Sequence, residues 1–200
     1  LCEKYKNNKI IFFTDESIIW LFKQIFINIK NLSIIGYNNS HLLPIFDYHC
    51  SMFMLMKYLN ITYENIIFTP LFKNINNITS NNKIILDWIN NSNKKTYILN
   101  WKGNNKNPHE KMNGMMELEN AIPLFELDIN FLVITKDITE DEKKILDKYK
   151  IKYIGNNIDN CNKSYYDSIE IIKNVDGVIS TDTSLVHLSA NLDIKTYVLL

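Results

Sequence analysis

The chain has 200 residues, 46% hydrophobic and 22% charged, and its 22 basic and 22 acidic side chains balance to zero. The apolar share suffices for one large domain or two small ones, and the neutral balance excludes a broad nucleic-acid surface, which needs a basic excess. Every basic side chain is Lys, so an anion must be met by backbone N–H groups, hydroxyls, amides or ammonium groups, never by a guanidinium fork.

In chain order, "KIIFFT" (residues 9–14) reads as a buried strand. Asp15 then N-caps a helix over residues 17–29, with Glu16 near its positive end. "SIIGY" (33–37) is the next strand, and the crossover makes the pair parallel. "FDYHCSMFMLMKYL" holds an apolar helix over 52–59, and its "MFMLM" stripe is expected to be core. Pro70 opens an Asn-rich connection, which divides the chain into residues 1–75 and 76–200.

After it the alternation restarts. "KIILDWINNS" is a helix, "KTYILNW" (95–101) a strand, and "KGNNKNPHEKMNG" a long polar loop. "MELENAIPLFEL" is a helix bent by Pro123, and "INFLVIT" (129–135) a strand. "TEDEKKILDKY" is a helix with Thr139 as N-cap, an acidic first turn and a basic end. "IKYIG" is a strand, "SYYDSIEIIKNV" a helix, "DGVIS" a strand, "SLVHLSANL" a helix and "KTYVLL" a last strand. Strands alternating with helices imply an α/β fold, a Rossmann-like parallel sheet flanked by helices.

In such sheets ligands bind beyond the carboxyl ends of the strands. "TDTS" (181–184) follows the strand "GVIS" and opens a helix, whose unpaired N–H groups favour an anion. Thr183 and Ser184 add hydroxyl donors there. The structural alternative is plain N-capping by Asp182 or Thr181.

"DGVISTDTSLVHLSANLDIKTYVLL" resembles the nucleotide-sugar-binding end of tetratricopeptide-repeat-associated glycosyltransferases. These are similar to glycosyltransferase family 9 (heptosyltransferase-like) and, more distantly, to O-linked N-acetylglucosamine transferases. The match rests on Asp176, Asp182, Thr183, His187 and Leu188, with Ser189 in place of a small Ala. "NWKGN" followed by "HEK" resembles the W-x-G-N loop of the same family, and "FDYHCSMFMLMKYL" the segment closing its N-terminal half. The resemblance implies a GT-B-like fold: a partial N-terminal α/β half, then a C-terminal nucleotide-sugar-binding half.

It implies a metal-independent transfer of a glycosyl group from a nucleotide-diphospho-sugar to an acceptor, protein or glycan, with no cofactor. Substrate-binding residues carried over are Asp182, Thr183, Ser184, His187, Lys102, Gly103, Asn104 and Lys111. Lys102 or Lys111 would offset diphosphate charge where the family has Arg. His41, Asp47 and His49 are further candidates facing the crevice from the first half. His109 and Glu110 offer a metal pair without a third ligand. No catalytic base is assigned, because the family's acidic base comes from the start of the N-terminal half. Both ends read as cut from something longer, so transfer is expected of a longer parent and only donor binding of this stretch. The alternative is a non-catalytic binding module derived from such an enzyme.

Cys2, Cys50 and Cys161 are far apart and in no C-x-x-C spacing, which speaks against a disulfide framework or zinc site and suits the cytoplasm. No apolar run approaches the ~18 residues that a membrane span needs.

Overall fold

The computed structural model describes residues 1–76, 78, 82–103 and 116–199. Its contacts divide the chain into two compact units, Leu1–Thr69 and Pro70–Leu200.

The first unit is a single β-α-β turn with little core. Strands β1 (Ile10–Thr14) and β2 (Leu32–Gly36) pair in parallel, Ile10 opposite Leu32 and Thr14 opposite Gly36. Asp15 caps the turn after β1 by accepting from the Ser17 N–H at 2.9 Å. The expected helix starts as a 3-10 turn over Glu16–Ile18 and continues as α1 (Ile19–Ile25), shorter than the apolar pattern suggested. Leu21 on α1 is the one buried apolar side chain of the unit. The helix α2 (Met52–Tyr58) forms where the sequence placed it, but no residue of it is buried. The Met-rich stripe therefore corrects the reading as core: Phe53 is 84% exposed and Met52 62%. Two strands and one short helix do not present enough surface to cover it.

The second unit carries the sheet. Its elements are α3 (Lys83–Asn90), β3 (Thr96–Asn100), a 3-10 helix (Leu118–Glu126), β4 (Asn130–Val133), α4 (Glu140–Lys148), β5 (Lys152–Tyr153), α5 (Tyr166–Lys173), β6 (Gly177–Thr181), α6 (Ser184–Asn191) and β7 (Thr196–Leu199). All five strands are parallel, in the order β5-β4-β3-β6-β7. This is a Rossmann-like α/β arrangement, and all five strands read from the sequence are present. The segment expected to be a bent α-helix is instead the 3-10 helix, with Pro123 inside it. Proline lacks the N–H that an i to i−4 ladder requires and clashes with the preceding turn.

Side chains alternate across the sheet and define two cores. On one face Leu99, Phe131 and Val133 pack with Trp101, with Leu118 and Ala121 of the 3-10 helix, and with Leu146 of α4. Ile98, Leu132 and Val178, paired in register, point to the other face and are fully buried. Helix α6 covers that face: Ser189 meets Thr196 at 2.9 Å, and Thr196 is the register partner of Val178.

Local signals agree with this placement. Thr139 and Glu142 form a reciprocal capping box at the start of α4, as the acidic first turn predicted. Downstream of Pro70, the Phe72 N–H donates to the Asn191 carbonyl at 2.9 Å and Lys173 Nζ to the Ile75 carbonyl at 2.6 Å, so this stretch belongs to the second unit. Among the described residues no helix is long and apolar enough to cross a membrane.

Candidate functional site

From β3 the chain winds outward to β4 and β5, then returns to the other side of β3 for β6 and β7. The winding direction reverses between β3 and β6, and ligands of such sheets sit at that switch point, beyond the carboxyl ends. Asn100 and Ser180 are register partners at that end of the two strands.

A buried polar network joins them. Asn100, 7% exposed, donates from Nδ2 to Ser180 Oγ at 3.0 Å and to Thr183 Oγ1 at 3.3 Å. Its Oδ1 accepts from Thr135 Oγ1, just beyond β4, at 2.7 Å. Ser180 Oγ donates to the Thr181 carbonyl at 2.8 Å, and Thr183 Oγ1 lies 3.1 Å from Ser180 Oγ. Three strand ends and the start of α6 thus meet on one amide. Gly155 lets the chain pass close to the end of β4: a Cβ there would stand 1.8 Å from the Thr135 carbonyl oxygen.

Thr183 is the N-cap residue of α6, in extended conformation and without a side-chain capping bond. Capping by Asp182 or Thr181, the structural alternative, is not what forms. The Thr183 hydroxyl turns back to Asn100 and Ser180, so the helix start keeps its partial positive charge without a side-chain oxygen over it. Asp182 and Ser184 flank it, both exposed. His187 lies one turn further along α6 and is exposed, not an interior histidine. Thr181 is 3% exposed, and its Oγ1 has no hydrogen-bond partner among the described residues.

The residues leaving β3 are clamped. Lys102 is 4% exposed, and its Nζ donates to Glu142 Oε2 at 2.6 Å and to the Asp137 carbonyl at 3.0 Å. Trp101 is 1% exposed, and its indole N–H donates to Glu142 Oε1 at 2.8 Å, so it packs rather than offering a stacking face. Burial alone would raise the Glu142 carboxyl. The Lys102 ammonium, the Thr139 N–H and the Trp101 N–H outweigh it and hold the group below the ordinary glutamate range. The Lys102 charge is therefore already neutralised by Glu142.

Of the residues predicted from sequence, Thr183, Asp182, Ser184 and His187 gather at the start of α6, and Lys102 and half-buried Gly103 stand at the neighbouring strand end. Asn104 and Lys111, with His109 and Glu110, lie outside the described residues. Asp176 sits at the opposite edge, where its carboxylate accepts from the Thr96 N–H at 2.8 Å as β3 begins. His41, Asp47 and His49 are exposed in the first unit. Sequence reasoning missed Asn100, Thr135 and Ser180 as a set. Their signal is a polar side chain closing each of three otherwise apolar strands.

A shallow groove of about 620 Å³, lined by Trp88, Ser92, Lys94 and Asn130 among others, lies at the amino ends of β3 and β4, away from this site. Comparison with protein-family models, curated proteins and solved structures finds no match to this chain.

Proposed function

We propose that the second unit binds a nucleotide-diphospho-sugar at the start of α6, within a GT-B-like arrangement to which the first unit contributes the end of the N-terminal half. The observation that carries this reading is the uncapped N-terminus of α6 standing at the topological switch point, beside the Asn100–Ser180–Thr183 network. The sequence resemblance of residues 176–200 supports it.

In this reading the N–H groups at the start of α6 and the hydroxyls of Thr183 and Ser184 hold the diphosphate. Asp182, which repels phosphate, takes a sugar or ribose hydroxyl. His187 reaches the donor from one turn along the helix, and Gly103 lets the backbone approach it closely. With Lys102 spent on Glu142, Lys111 is left as the cation for the diphosphate. Transfer is a direct displacement at the anomeric carbon by an acceptor hydroxyl, from a protein or a glycan. The acceptor oxygen bonds to that carbon and releases its proton to water, while the bond to the diphosphate breaks with its electron pair going to the diphosphate, whose developing charge the helix end stabilises. With the helix end and a lysine meeting that charge, this reading calls for no metal.

Donor binding without turnover is a second reading, favoured by the neutralisation of Lys102, which removes one cation from the leaving-group side. Calorimetric titration with UDP-, GDP- and ADP-sugars, followed by assay for released nucleoside diphosphate, tests both. Binding with release over an added acceptor supports transfer. Binding without release supports the binding module. No binding of any of the three overturns the proposal.

A further inference from the structure

We infer that Asn100 is a positioning residue that sets the Thr183 hydroxyl as a donor toward an anionic oxygen; the inference rests on the donor-binding reading and names what that site selects.

The argument is a count of protons. Thr135 donates to Asn100 Oδ1 at 2.7 Å, which fixes the amide with its NH₂ toward Ser180 and Thr183. The amide nitrogen then donates to both hydroxyl oxygens. The Ser180 proton goes to the Thr181 carbonyl at 2.8 Å, so across the 3.1 Å contact between the hydroxyls Thr183 is the donor. One lone pair of Thr183 Oγ1 is filled by Asn100, and accepting that proton strengthens the same hydroxyl as a donor.

A ligand at the start of α6 is therefore met by one inexpensive change. The Thr183 proton swings from Ser180 Oγ to the ligand, while Ser180 keeps its bonds to Asn100 and to the Thr181 carbonyl. The exchange gives up a neutral hydrogen bond. A neutral acceptor only replaces it in kind, whereas a phosphate oxygen returns a charge-assisted bond about twice as strong. The network thus favours an anion over an uncharged hydroxyl or carbonyl, and Asn100, which needs no contact with the ligand, adds to that preference by holding and polarising the Thr183 hydroxyl. An aspartate of the same shape would undo this, since its carboxylate would take the Thr183 proton and repel phosphate.

The test is calorimetry on the full chain with UDP, GDP and ADP, each beside its own nucleoside. It compares wild type with N100A, N100D, T183V and N100A/T183V, with melting temperatures recorded alongside. T183V, which removes the hydroxyl, is expected to weaken the diphosphate about tenfold, the equivalent of one hydrogen bond to a charged group, and N100A less, about threefold, because the Thr183 hydroxyl remains and loses only its orientation and polarisation. The nucleoside should stay within about twofold, since it lacks the phosphate. N100D should bind the diphosphate more weakly than N100A. In the T183V background N100A should add nothing, because its effect passes through Thr183.

Equal weakening of nucleoside and diphosphate, or effects of N100A and T183V that multiply in full, overturns the role. If N100A does not fold, N100S, which is uncharged, is compared with and without T183V, and a loss that multiplies in full with that of T183V overturns the role. A wild-type chain that binds none of the three diphosphates removes the donor-binding reading and this role with it. Wild-type binding matched by both Asn100 variants removes this role alone.

Discussion

Glu142 Oε2 lies 2.6 Å from Lys102 Nζ, which ties the first turn of α4 to the residue leaving β3. The same carboxylate closes the capping box with Thr139 and receives the Trp101 indole N–H, so one side chain fixes where the chain departs from the sheet. Replacing it by glutamine keeps the shape but leaves a buried ammonium without a counter-charge. Breaking one side of such a pair costs about 3–5 kcal/mol. Lys102 retains the Asp137 carbonyl, so E142Q is expected near the low end, about 3 kcal/mol by urea denaturation. A loss below about 1 kcal/mol, the range of exposed pairs, would show that the clamp is a surface feature.

The same contact has a pH signature. The folded-state carboxyl of Glu142 lies below its ordinary value, so the ionised form is the one that folding favours. Its contribution is complete above the ordinary glutamate value of about 4.3 and is lost as pH falls through the lower folded value. Other carboxylates titrate in that range too, so the informative quantity is the stability difference between wild type and E142Q. That difference should be constant from pH 7 to about 5 and shrink below the ordinary glutamate value. A difference that widens on acidification contradicts the assignment.

Thr183→Val separates the two roles of that hydroxyl. From sequence, the substitution should lower affinity and spare stability, since the backbone cap remains. The structure adds a second effect: Val leaves an amide proton of buried Asn100 without its acceptor. An unpaired buried donor costs about 1–3 kcal/mol, so T183V is expected to lose both stability and nucleotide-sugar affinity. Thr183→Ser keeps the oxygen and should hold stability to within about 0.5 kcal/mol of wild type. Equal losses in both variants would mean that the methyl group, not the hydroxyl, matters at this position.

In the first unit, Phe53 and Leu21 should behave oppositely. Leu21 is 1% exposed and Phe53 84%. Leu21→Ala is expected to cost about 2–5 kcal/mol of that unit's stability, and Phe53→Ser less than about 0.5. A large loss from Phe53→Ser would show that this surface is covered in solution.

Much of the second unit was legible because its strands are short apolar runs bounded by polar loops, and Thr139 with its acidic turn announces α4. The strand-to-helix junction at 181–184 was legible for the same reason. What could not be read were relations across the chain. Asn100 finds Ser180 and Thr183 some 80 residues away, and Lys102 finds Glu142 40 residues away. A lysine in a polar loop reads as free because its partner belongs to a helix three elements later. The "MFMLM" stripe misleads in the other direction: its composition is that of a core, but burial depends on how much structure surrounds it, which one segment does not encode.

The central claim is that an anion sits at the start of α6, and the most direct measurement is the set of amide ¹H–¹⁵N shifts during titration with a nucleoside diphosphate. The account predicts that the largest and saturable changes fall on Thr183, Ser184 and Leu185, with the side-chain amide of Asn100 following as its network adjusts. Changes centred instead on Trp88, Ser92 and Lys94 at the amino ends of the strands, or no saturable change at all, would contradict it.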